Sequence, residues 1–167
     1  MNSIVIGFSR ARSPWKVGST IIAATEKRNY SHVYIRYTDP TTGVEIIAQA
    51  SHGYVNEMNH EVFLQDNIVV EEYDLETTPE QTLEILTFIK KNLGKPYSKL
   101  QLLFIAVKKL FHVTINIRNN DSAFICSELG AKVCKFKKII LDDDLDLETP
   151  SDLNTVLRAK GVKRIYG

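Results

Sequence analysis

Two runs rich in β-branched and aromatic residues, His32-Val33-Tyr34-Ile35-Arg36-Tyr37 and Val44-Glu45-Ile46-Ile47-Ala48-Gln49-Ala50, flank Asp39-Pro40-Thr41-Thr42-Gly43. Proline presets one turn dihedral and glycine accepts a positive φ, so the segment predicts a β-hairpin. A hairpin with apolar residues in both strands must bury a sheet face. Further strand signals lie at 3–8 and 68–73, and Gly53-Tyr54-Val55 either continues the second hairpin strand or pairs with it. An antiparallel sheet is the expected product.

Beyond residue 77 the apolar spacing turns helical. Thr78 before Pro79-Glu80-Gln81 predicts an N-cap with proline in the first turn, and Leu83, Leu86, Ile89 and Leu93 form the expected buried stripe before Gly94. Further helices are expected at 98–111, 123–136 and 151–159, the last with Ser151 as N-cap after Pro150. An earlier one follows Pro14-Trp15, with Val17, Ile21, Ile22 and Ala24 at helical spacing. Strands mostly early and helices mostly late give an α+β fold.

The 167 residues suit one domain, 1–167, with a core of its own. Lys and Arg number 21 against 20 Asp and Glu, so the overall field gives no reason to expect a nucleic-acid partner. Lys135-Phe136-Lys137-Lys138, the acidic stretch 142–148 and the basic C-terminal residues Arg158, Lys160, Lys163 and Arg164 read as solvated faces. The most apolar window, 100–107, is too short to span a bilayer, and the N-terminus lacks the pattern of a signal peptide.

Cys126 carries the chemistry. A polar loop gives way at Ser122-Ala123-Phe124-Ile125-Cys126-Ser127-Glu128-Leu129 to a helix-patterned run, which puts the thiol at or near a helix N-terminus. That position favours thiolate, the nucleophilic form. Cys134, the second cysteine, falls mid-helix and has only a structural reading; eight residues of helix separate the two and exclude a mutual disulfide. Two thiols favour a reducing compartment, which means a cytoplasmic protein or a virion- or host-associated one without a signal peptide.

A cysteine nucleophile needs an imidazole base and a polar group to hold that imidazole. His32 opens the first hairpin strand and Gln49 lies late in the second, and the start of one antiparallel strand faces the end of the next. Gln49 is therefore the expected orienter, with His52, three residues on, as the alternative. Singly, Cys126 also reads as a small packed hydrophobe and His32 as a surface or capping residue. His32, His52, His60, His112, Cys126 and Cys134 have no metal-ligand spacing, and no cofactor is implied.

The segments Ser31-His32-Val33-Tyr34-Ile35, Gly94-Lys95-Pro96-Tyr97, Phe124-Ile125-Cys126-Ser127-Glu128-Leu129 and Thr149-Pro150-Ser151-Asp152-Leu153 follow one another in a telling order. It resembles that of the circularly permuted NlpC-like, papain-like cysteine amidases and peptidases. In these a His-Val strand precedes a Cys-Ser-Glu helix. The resemblance implies a papain-like sheet packed against helices, with Cys126 as nucleophile, His32 as general base and position 49 as third polar residue. Tyr97 would line the site, assisting the oxyanion or positioning substrate. The implied activity is that of a thiol hydrolase cleaving an amide or ester, with a peptide, a peptidoglycan-like chain or a lipid amide as substrate.

The chain departs from the family pattern in three places. Gln49 stands where relatives commonly have a carboxylate, Val5-Ile6-Gly7-Phe8 replaces a Gly-Asp pair, and Ser98 follows Tyr97 where an acidic residue is usual. A glutamine can hold an imidazole but gives an imidazolium no compensating charge. A catalytically weak or inactive module that binds or builds structure is therefore a second expectation. A lipid acyl hydrolase or transferase, with the apolar stretch 100–111 bordering its site, is a third.

Overall fold

In the computed structural model, which describes residues 3–13, 30–96, 125–140 and 149–167, six antiparallel strands form one sheet. The elements run β1 (Val5–Ala11), β2 (His32–Thr38), β3 (Glu45–Ser51), β4 (Tyr54–Asn59), α1 (His60–Asp66), β5 (Asn67–Asp74), α2 (Pro79–Asn92), α3 (Cys126–Phe136), α4 (Pro150–Ala159) and β6 (Lys163–Tyr166). The spatial order is β4-β3-β2-β1-β5-β6, and every neighbouring pair is antiparallel. The described part of the chain is thus α+β, as the strand and helix signals predicted. The helices expected near 17–24 and at 98–111, the first residues of the one expected at 123–136, and Tyr97 lie outside the described residues.

The hairpin forms where its sequence demanded. Asp39 Oδ1 accepts from Thr41 N at 2.7 Å and Thr42 N at 3.1 Å, and Gly43 turns the chain at φ 71°. Side chains then alternate across the sheet. Ile6, Phe8, Val33, Ile35, Ala48 and Ala50 pack in one cluster with Ile85 and Ile89 of α2, Leu129 and Val133 of α3, and Leu153 and Leu157 of α4. Tyr34 and Ile47 of the opposite face pack on Phe63 of α1. Helices therefore lie on both sides of the sheet.

Helix α3 crosses close to β2 because residue 130 is glycine. A Cβ there would come 2.9 Å from Val33 Cγ1 and 3.0 Å from Leu153 Cδ2. Helix α4 is tied to β5 by polar contacts as well. Asn154 Nδ2 donates to Glu71 Oε2 at 2.6 Å, Arg158 Nε donates to the Tyr73 hydroxyl at 3.0 Å, and Arg158 also pairs with Glu71. Arg158 is thus part of the framework rather than of a basic patch, and Lys163 pairs with Glu76 at 3.6 Å.

Several expectations need correction. Strand β1 runs beyond the expected 3–8 through Arg10 and Ala11, because after a bulge at Phe8/Ser9 they pair with Ile68 and Asn67. Tyr54 and Val55 open β4, which pairs with β3, and His60 starts α1. Asn59 caps α1 by accepting from Glu61 N at 2.7 Å. Thr78 is the expected N-cap, with Pro79 in the first turn and Gln81 completing a capping box, but α2 buries Thr82, Ile85, Ile89 and Asn92. Leu83 is 67% exposed and Leu93 38%. The inward face is rotated by about one residue, and Thr82 and Asn92 tolerate burial because their polar groups are satisfied locally, on Thr77 Oγ1 at 2.8 Å and Phe88 O at 2.6 Å. In α4 the N-cap is Thr149 and not Ser151; Asp152 N donates to Thr149 Oγ1 at 3.3 Å and Asp152 Oδ2 accepts from Thr149 N at 2.9 Å.

Candidate functional site

His32 is the first residue of β2, and its Nε2 lies 2.7 Å from Gln49 Oε1. The hairpin register explains the contact. Ile35 pairs with Ala48, so Gln49 falls on the row of Tyr34, one step along the same face from His32. Gln49 is 3% exposed. Its Nε2 donates to Asn56 Oδ1 at 3.4 Å and approaches Met58 Sδ at 3.6 Å, both on β4.

Burial dominates the electrostatics of His32. Loss of solvent lowers its pKa from the ordinary 6.5 to about 4, against the opposing pull of the Gln49 hydrogen bond, and the nearby His52 lowers it further. At neutral pH the ring is therefore uncharged. A carboxylate at position 49 would act the other way, so the glutamine and the neutral ring belong together.

His52 does not hold His32. It sits exposed at the tip of the two-residue loop between β3 and β4, with φ 53° followed by Gly53 at φ 97°, and its Nδ1 lies 3.1 Å from Ser51 Oγ. Two successive positive φ values make this a tight hairpin turn, and such a turn fixes the register beyond it. Ser51 thereby pairs with Tyr54, Ala50 with Val55 and Gln49 with Asn56. Asn56 was not singled out from sequence. The signal was His52-Gly53, since a two-residue loop there sets position 56 opposite position 49.

Cys126 is the first residue of α3, after Ile125 as N-cap, so the thiol does sit at a helix N-terminus. It is 3% exposed and packs in the cluster that includes Val33, Ala48 and Ala50. It lies one turn, about 6 Å along the axis, before Gly130, the residue that meets Val33. His32 and Gln49, by alternation, share the other face with Tyr34 and Ile47. The thiol and the imidazole thus belong to opposite faces of the sheet. Cys134 is fully buried, and burial pushes its thiol up to about 12.

The Gly94-Lys95-Pro96 segment docks on β4 beside this region. Val55 N donates to Lys95 O and Gly94 N donates to Val55 O, each at 2.8 Å. His60 opens α1 and holds Glu45 Oε2 at 2.9 Å on the hairpin's far end. Ser9 pairs with His32 across β1 and β2, fully buried.

Among the described residues no His, Cys, Asp or Glu group is arranged to hold a metal ion, and no helix is long and apolar enough to cross a membrane. Both cysteines are outside disulfides. A scan against protein-family models finds no match to this chain, and a search of curated proteins finds none either.

Proposed function

We propose that the protein is a cysteine hydrolase of the permuted papain-like kind, cleaving an amide or ester through an acyl-enzyme on Cys126. The observation that carries the reading is the 2.7 Å contact of His32 Nε2 with Gln49 Oε1. An amide oxygen only accepts, so the shared proton belongs to His32 Nε2 and the lone pair is left on Nδ1. That is the form a general base needs, and it is uncharged at neutral pH because burial holds the pKa near 4.

In this mechanism the Cys126 proton passes to His32 Nδ1 as sulfur attacks the carbonyl carbon. The helix α3 N-terminus presents its positive end to the developing oxyanion. Collapse of the tetrahedral intermediate breaks the bond to the leaving group, which takes the proton from Nδ1, and leaves a thioester on Cys126. Water then gives its proton to Nδ1, attacks the thioester and releases the acid, and the proton returns to sulfur. A base of such low pKa favours proton transfer concerted with attack over a resting thiolate–imidazolium pair.

The second reading is a non-catalytic binding or structural module, favoured by the deep burial of Cys126 and the uncharged Gln49. Incubation with p-nitrophenyl acetate followed by peptide mass analysis separates the two. The hydrolase reading expects acetylation confined to the Cys126 peptide, with release of nitrophenol that continues after the first turnover and vanishes in Cys126→Ala. An unmodified Cys126 with background hydrolysis would leave the module.

A further inference from the structure

We infer that Asn56 is a positioning residue that dictates which nitrogen of His32 carries the proton; the inference deepens the hydrolase reading and takes from it the role of His32. The atoms around the Asn56 amide allow it one orientation. Asn56 Nδ2 lies 3.1 Å from Ser51 O and 3.2 Å from Tyr54 O, and 3.2 Å from Ser51 Oγ. Backbone carbonyls accept and never donate, so the NH2 group of Asn56 must face the turn. Its Oδ1 must then face β3.

There it meets Gln49. An oxygen opposite requires Gln49 to present its own NH2, which it does at 3.4 Å, with the Met58 sulfur at 3.6 Å as a second weak acceptor. Gln49 Oε1 is left to face His32 Nε2 at 2.7 Å, and an amide oxygen there admits only the Nε2–H tautomer. Each link fixes the next. The orientation of one turn's carbonyls is thereby carried through two amides to the imidazole.

The consequence of removing Asn56 follows directly. With only the weak Met58 sulfur left opposite its NH2 group, the Gln49 amide can rotate by a half turn. Its NH2 would then face His32 Nε2, which would have to accept, and the proton would sit on Nδ1, where it blocks proton uptake from a thiol. A carboxylate at position 49 has no NH2 group and only accepts in either orientation. Gln49→Glu should therefore restore the Nε2–H form whatever stands at position 56.

The test is 15N NMR of histidine-labelled protein, the His32 signals being assigned by their loss in His32→Gln. Wild type is expected to show a protonated Nε2 and an unprotonated Nδ1. Asn56→Leu should give a mixture with a substantial Nδ1–H fraction, and Cys126 alkylation should slow about tenfold, in the range that loss of an outer supporting hydrogen bond costs elsewhere. Asn56→Asp, which still accepts from Gln49, should keep the wild-type tautomer. Asn56→Leu with Gln49→Glu should recover it.

An Nδ1–H tautomer in the wild type, or an unchanged Nε2–H tautomer in Asn56→Leu, would overturn the inference. The wild-type spectrum decides even if Asn56→Leu fails to fold. The expected tautomers with an inert Cys126 would instead retain the role of Asn56 and discard the hydrolase reading.

Discussion

Tyr34 crosses over Gly7, its partner on β1, to donate its hydroxyl to Glu72 Oε1 on β5 at 2.8 Å. Burial and the adjoining Glu72 carboxylate hold the phenol well above its usual pKa, so it remains a donor. Glu72 also accepts from Arg36 Nε at 2.9 Å and Nη2 at 2.8 Å, so the face behind His32 rests on one bidentate pair and one phenol.

The crossing is possible only over a glycine, because a Cβ at position 7 would lie 2.0 Å from Tyr34 Cζ. Gly7→Ala should force the ring aside, break the Glu72 bond and cost about 3 kcal/mol, at the upper end of ordinary overpacking. Urea unfolding measures it. Tyr34→Phe, which keeps the ring and loses only the donor, should cost less, about 2 kcal/mol.

Stability should depend on pH through His32. Its folded pKa of about 4 lies below the ordinary 6.5, so between these values the unfolded chain binds more protons than the folded one. Stability is therefore full above pH 6.5, falls as pH drops through the window, and levels below pH 4 as far as this residue is concerned. Allowing for the ring's partial exposure, the loss is about 2 to 3 kcal/mol. His32→Gln, compared with wild type by urea unfolding across the window, should lack that slope. Gln49→Glu supplies a compensating charge and should flatten it as well.

The α4 cap separates two readings of one sequence. Thr149→Ala removes the oxygen that accepts from Asp152 N and should cost about 1 kcal/mol, seen as a lowered Tm. Ser151, placed by the structure inside the helix rather than at its cap, has no such N-cap role to lose.

Much of this molecule was legible where local chemistry decides. Asp39 and Gly43 wrote the hairpin, Thr78-Pro79 wrote the start of α2, and Cys126 stands at a helix start as its flanking pattern implied. The contact of His32 with Gln49 was legible too, since antiparallel pairing brings a strand's start to its neighbour's end. What escaped depends on distant partners. β6 is four exposed residues that are a strand only because β5 offers an edge, and α1 is seven residues held mainly by Phe63 against Tyr34. Leu83 looked like core until the sheet chose Thr82 and Ile85. Asn56 escaped because a side-chain amide acquires its role only from what its register sets opposite.

The central claim is that His32 serves Cys126. Its most direct measure is the rate of iodoacetamide labelling of Cys126 at pH 7 in folded wild type and in His32→Ala, with the buried Cys134 as the reference thiol in the same molecule. The account predicts that Cys126 labels much faster than Cys134 and slows about a hundredfold without His32, the lower range for a positioned base. Equal, slow labelling of both thiols, or a Cys126 rate indifferent to His32→Ala, would contradict it.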